Sequence, residues 1–179
     1  MTTPAATRAA IECKSDRRVV MNTSPLLALI AALGDLSLLQ RAYSQVLVPH
    51  AVVQEVLAAG QLGYGVQAFL SDTFLSHGDD ALHVPPWLIN SLDLGEAAVI
   101  AMALSSRIER VCIDETVGRR VARLAGLQVT GSLGVLIKLK SVGAIPAIAP
   151  CIANMRAQGI WLSDAICAAA LDAAAERIE

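Results

Sequence analysis

A chain of 179 residues that is 55% hydrophobic but only 3% aromatic must build its core from Ala, Leu, Ile and Val, the palette of helices packed on a small buried sheet. A net charge of −2 and a pI near 5.9 exclude a protein that coats nucleic acid by charge alone, though not an enzyme that meets phosphate through a cation. Mean hydropathy is high at +0.55, yet Asp35, Glu55, Glu96 and Asp114 interrupt every run that approaches the ~20 apolar residues of a membrane span.

Residues 1–17 carry Arg8, Lys14 and Arg17 but no apolar run of the secretory type. They are expected to be a disordered tail on a cytoplasmic protein, with residues 18–179 as one domain. Val19–Met21 reads as a first strand. It stops in Asn22-Thr23-Ser24-Pro25, where Ser24 suits a helix cap and Pro25 a first helical position. The helix runs over Pro25–Leu33, with Gly34 as a left-handed cap, and Asp35 then caps a second, Leu36–Ala42. Gln45–Val48 is a second strand, halted by Pro49, and helix Ala51–Ala59 follows until Gly60.

Residues 61–90 are rich in breakers, with one short helix over Val66–Leu70. A longer helix spans Leu94–Ser105, capped by Asp93, with Val99, Ile100, Ala103 and Leu104 at helical spacing. Arg110–Ile113 is a third strand, Val117–Ala125 a helix, Leu127–Thr130 a fourth strand and Leu133–Val142 a helix ended by Gly143. Helices over Ala149–Gln158 and Ser163–Ile178 complete the chain. Four strands separated by helical crossovers imply an α/β fold: a short central parallel sheet wrapped on both faces.

Four cysteines, Cys13, Cys112, Cys151 and Cys167, lack zinc-site spacing and read as buried free thiols. Gly63-Tyr64-Gly65 follows no strand and is no dinucleotide loop. His50, His77 and His83 are scattered, and Trp87 and Trp161 read as packing or interface residues rather than base-stacking platforms.

The acids stand out by position. Glu55 and Glu96 each share a helical face with small apolar residues, so partial burial of a charge is expected. Asp114, followed at once by Glu115, ends the third strand at the same sheet edge as Asn22. Carboxylates gathered in one cleft repel unless a cation lies between them, and Mg²⁺ or Mn²⁺ is the usual solution. The plain alternative is that each acid is a cap or a partner of a nearby arginine. Arg107–Lys140 holds seven basic residues against three acids. Arg119, Arg120 and Arg123 follow Asp114 on a helix whose buried stripe is expected to be Val117, Val121 and Leu124. Positive charge beside an acidic cleft suits a phosphodiester backbone; a solvated face pairing with Glu109 and Glu115 is the other reading. Thr130-Gly131-Ser132 ends the fourth strand at that edge, where Ser132 suits either a phosphate contact or a helix cap.

Five short motifs occur in an order that resembles the DUF3368 branch of the PIN-domain superfamily. They are Val20-Met21-Asn22-Thr23-Ser24-Pro25-Leu26; Val48-Pro49 with Val53-Gln54-Glu55-Val56; Leu94-Gly95-Glu96-Ala97; Cys112-Ile113-Asp114-Glu115 with Gly118-Arg119-Arg120-Val121-Ala122; and Gly126 through Gly134. The resemblance covers nearly the whole chain from Val19. It implies a PIN-like three-layer α/β/α sandwich and a ribonuclease dependent on Mg²⁺ or Mn²⁺, of the VapC-like kind often found as the toxin of a toxin–antitoxin pair. It implies that Asn22, Glu55, Glu96 and Asp114 share the metals and the catalysis; beside them, the basic helix and the strand-end hydroxyls make Ser24, Arg119, Arg120 and Ser132 candidates for the substrate phosphate. RNA, a small antitoxin protein and a second copy of the chain are the implied partners, the homodimer also being the default for so apolar a surface. Asn22 departs from an all-acidic set: an amide offers a metal a neutral oxygen but no charge and no base. A PIN-like module with weak or no catalysis, working by nucleic-acid or protein contacts, is the alternative.

Overall fold

The computed structural model describes residues 17–58, 64–78 and 82–176. The expected tail (with Cys13) and the helix stop at Gly60 lie outside the described residues, whereas the last helix ends at Ala173 rather than Ile178, Ala175 taking a φ of +55°; Arg17 is described and held, its guanidinium donating to the carbonyls of Arg41 at 2.9 Å and Ala42 at 3.3 Å. Fifteen elements follow in chain order. Strand β1 (Arg18–Met21) leads into α1 (Thr23–Leu33) and α2 (Leu39–Ala42), then β2 (Gln45–Val48), α3 (His50–Ala58), α4 (Val66–Ser71) and β3 (Leu75–His77). Helices α5 (Pro86–Ile89) and α6 (Leu94–Ser105) precede β4 (Arg110–Cys112), α7 (Thr116–Leu124) and β5 (Gln128–Thr130). Helices α8 (Ser132–Ser141), α9 (Ala149–Ala157) and α10 (Asp164–Ala173) close the chain.

The sheet has five strands in the order β3-β2-β1-β4-β5, every pairing parallel. The fifth, β3, falls in the segment whose breakers masked it; it is an edge strand of three residues and only half-buried, so it carries little hydrophobic pattern. Val19, Val20 and Met21 are all fully buried although successive side chains point to opposite faces, so both faces of β1 are covered. The chain runs outward from β1 to β2 and β3, then returns across the sheet to β4 and β5. Helix α1 packs against α8 and α9, and α6 against β1, β4 and α3.

Several local signals differ from expectation. Helix α1 starts at Thr23, and Asn22 holds the N-cap position without a side-chain cap bond. Pro25, as the third residue, still costs no hydrogen bond, because the first four N–H groups of a helix have no internal partner. Gly34 takes a φ of +88° and donates its N–H to Ile30 O at 2.8 Å, as a helix stop requires. Asp35 caps no helix: its carboxylate accepts from the backbone N–H and hydroxyl of Ser37, a local turn that delays α2 to Leu39. Helix α7 keeps only Val121 of the expected stripe against the core. Val117 and Leu124 are 58% and 80% exposed, and Gly118 and Ala122 face inward. Among the described residues no helix is long and apolar enough to cross a membrane.

Candidate active site

The strand order reverses between β1 and β4, and in open α/β sheets the crevice beyond the carboxyl ends of such strands is where ligands bind. Met21 and Cys112 are register partners, and the Asn22 N–H donates to Cys112 O at 3.0 Å. The residues that follow the two strands, Asn22 and Asp114-Glu115, therefore stand side by side. Helix α6 brings in Glu96 from one face: Asp93 caps that helix, accepting the Glu96 N–H at 2.7 Å, so Glu96 enters in the first turn. Helix α8 approaches from β5, and its Ser132 N–H donates to Asp114 Oδ1 at 2.8 Å.

Asn22 and Glu96 are 3% and 5% exposed, and each leaves one side-chain oxygen buried without a hydrogen-bond partner, Oδ1 and Oε1 respectively. Orphaned buried oxygens are rare because each carries its full desolvation cost. The Asn22 amide donates to Glu115 Oε2 at 3.4 Å, and the Ser24 hydroxyl donates to the other Glu115 oxygen. Burial, together with the Asp93 and Glu115 charges, pushes the Glu96 carboxyl up to about 7. Asp114 is also raised, chiefly by burial and against the hydrogen bonds from Ser132 and the nearby Arg119.

Three glycines make room for these carboxylates. A Cβ on Gly118 would overlap the Glu96 carboxylate, one on Gly131 would crowd Asp114 and Arg119, and one on Gly95 would crowd Glu55. The inward face of α7 is small because Glu96 occupies the space. Gly118→Ala tests this directly. Alanine should add up to about 1 kcal/mol of helix propensity, offset by displacement of Glu96, so the melting temperature should shift little. Divalent-metal affinity should instead fall by about tenfold, as for a lost supporting contact, measured by Mn²⁺ titration.

Of the four residues expected to converge, three are grouped around Glu115 at the crevice: Asn22 donates to it, Asp114 precedes it in the chain, and its charge acts on Glu96. Glu55 stands at the rim of the crevice: it is exposed on α3, accepts the Thr23 hydroxyl at 2.5 Å and lines a separate cleft of about 540 Å³ with His50, Gln54 and Leu94. Of the phosphate candidates, Ser24, Arg119 and Ser132 line a larger cleft of about 870 Å³ with Asp114; Arg120 is exposed on α7 and is not among its walls. Arg119 is oriented by donating to Ile113 O at 2.8 Å. Ser132 is buried at the first residue of α8, with Gly131 in the N-cap position. Glu115 belongs to the site although only its place beside Asp114 could have signalled it. The pairs Gly95-Glu96 and Gly131-Ser132 carried a further signal, a glycine next to a functional side chain.

A hard divalent cation suits this donor set, which is all oxygen and includes two unpartnered buried oxygens and two carboxyls raised by burial. Among the described residues no three His, Cys, Asp or Glu side chains stand at metal-holding separation. The raised Glu96 carboxyl gives a metal-free signature. Its ordinary value is 4.5, so the folded protein binds the extra proton between about 4.5 and 7. That contribution to stability is fully present below 4.5 and is lost as pH rises through 7. Melting in a chelator should therefore fall between pH 5 and pH 8, and Glu96→Gln should flatten the dependence.

A family model described as DUF3368, PIN domain, matches residues 18–176. No curated protein and no solved structure matches the chain.

Proposed function

The chain belongs to the DUF3368 family of PIN domains, and on that premise we propose that it is a metal-dependent endoribonuclease that hydrolyses RNA phosphodiesters. The observation that carries the reading is the pair of buried, unpartnered oxygens, Asn22 Oδ1 and Glu96 Oε1, beside Asp114 at the strand-reversal crevice. Asp114, Glu96 and Asn22 would hold Mg²⁺ or Mn²⁺, with Glu55 at the rim completing the set. The ion, when bound, supplies an activated water and neutralises charge on the phosphate. Glu115 holds Asn22 and Ser24 in place through its two oxygens. Ser132 fixes Asp114 from the N-terminal end of α8, whose dipole favours the ionised carboxylate there. Arg119, tethered to Ile113 O, presents its remaining N–H groups to a phosphate oxygen.

In the same reading the chain is the toxin of a toxin–antitoxin pair, held by a small protein antitoxin and acting as a homodimer. A second reading is favoured by one observation, the amide at Asn22 inside the crevice: a PIN module attenuated in catalysis. Incubation of the purified protein with a structured RNA in Mn²⁺ and in EDTA tests the first reading. Cleavage confined to the Mn²⁺ arm and lost in Asp114→Asn is expected; equal cleavage by both proteins, or none by either, removes the assignment.

A further inference from the structure

The large cleft lined by Asp114 is also lined by an indole. Trp161 lies in the connection between α9 and α10, lines the cleft and is 84% exposed, so it is no packing residue. Its neighbours are fixed on both sides. The Ile160 N–H donates to Met155 O at 3.0 Å, and Ile160 and Leu162 pack against the core. Arg156 donates to Leu162 O at 3.0 Å and to Asp164 Oδ1 at 2.7 Å. The indole is thus presented on an anchored segment while Ile160 and Leu162 turn inward. Leaving so large an apolar ring in water is costly, and the half-exposed Ile166 on α10 extends the same wall.

We propose that Trp161 is a stacking platform for an unpaired base of single-stranded RNA whose backbone reaches Asp114 and Arg119. The inference rests on the ribonuclease reading above and assigns it a base-binding residue. The cleft walls combine the polar Ser24, Asp114 and Arg119 with the apolar Ile160, Trp161 and Ile166, which matches a nucleotide with a charged phosphate and a flat base. A volume of about 870 Å³ is of the size that takes a small ligand. The chain carries 14 Lys and Arg against 16 Asp and Glu, so phosphate contacts alone leave binding weak. Base stacking supplies affinity without net charge and without sequence preference. Paired bases do not expose their faces, so loops and single strands are selected over duplex.

The test uses two fluorescent 12-mers, an unstructured RNA and a chain of abasic spacers with the same phosphates. Both are titrated by anisotropy in Mg²⁺ against the full chain carrying Asp114→Asn to prevent cutting. Adding Trp161→Ala should weaken RNA binding about 5- to 100-fold, and Trp161→Phe should retain most of it. The abasic chain should bind weakly and ignore both changes. In a Trp87→Phe background, RNA should quench the remaining indole emission. An equal loss on the abasic chain overturns the proposal. So does unchanged RNA affinity in Trp161→Ala while the native site still binds and cuts RNA. A change of sedimentation mass without a change in RNA affinity would make Trp161 a protein contact and likewise overturn it. If the chain neither binds nor cuts RNA, the ribonuclease reading itself fails and takes the proposal with it.

Discussion

Replacing Asp114 with asparagine should lower Mn²⁺-dependent RNA cleavage by at least about 100-fold while leaving the fold intact. Supporting contacts around a metal already change affinity or activity by about 10- to 100-fold, and a direct carboxylate ligand supplies charge as well as geometry. The fold should tolerate the change because Asn Oδ1 can still accept the Ser132 N–H that Asp114 accepts at 2.8 Å. Burial raises the Asp114 carboxyl, so the charged form is disfavoured in the metal-free protein. The neutral variant should therefore melt in EDTA at the same temperature as the parent or slightly above it. Added Mn²⁺ should raise the melting point of the parent more than that of the variant, by mass action on the folded state. Gel assays of RNA cleavage and melting curves in EDTA and Mn²⁺ together separate a lost ligand from a lost fold. A variant that cuts at the parental rate would remove Asp114 from the site.

Several features written into adjacent residues were legible in the sequence, though not the caps expected of Ser24 and Asp35; features made by approach between elements were not. The end of β1, the stop at Gly34 and the Asp93 cap of α6 each depend on a few consecutive residues. The parallel order followed from strands separated by helices, with only the edge strand β3 escaping notice. Helix α7 was misjudged because large apolar residues at helical spacing normally face inward. Here Gly118 and Ala122 face inward instead, since a Cβ on Gly118 would strike the Glu96 carboxylate. The space taken by a distant carboxylate thus helps decide which face of α7 is buried. The same limit applies at the site. Strand-end logic places Asn22 and Asp114 side by side, but the place of Glu55 at the rim depends on Thr23 and Gly95 at its carboxylate. The roles of Glu115 and Trp161 are likewise tertiary: one is set by the Asn22 and Ser24 side chains, the other by the anchoring of its neighbours.

Asn22→Asp should act in opposite directions with and without metal. In the free protein it places a carboxylate at a 3% exposed position, beside Glu115 and a Glu96 whose carboxyl already sits at about 7. The amide donor to Glu115 at 3.4 Å is lost, and an acceptor faces an acceptor. Like charges in a buried site raise one another's pKa and destabilise the ionised form, so melting in EDTA at pH 8 should fall and acid should restore it. The folded aspartate is expected to bind a proton that the unfolded one releases. Its contribution to stability is therefore present at low pH and is lost as pH rises through the folded pKa. With Mn²⁺ the sign reverses: the added charge should strengthen metal binding by at least about tenfold, in the range set by site-tuning substitutions, and cleavage should rise with it. Mn²⁺ titration, melting at pH 5 and pH 8, and RNA cleavage measured on one preparation read all three effects. A variant that gains metal affinity and cleavage marks the native amide as an attenuator. One that loses stability in EDTA yet gains neither shows that Asn22 Oδ1 does not face the ion, and the metal site then has to be assigned without it.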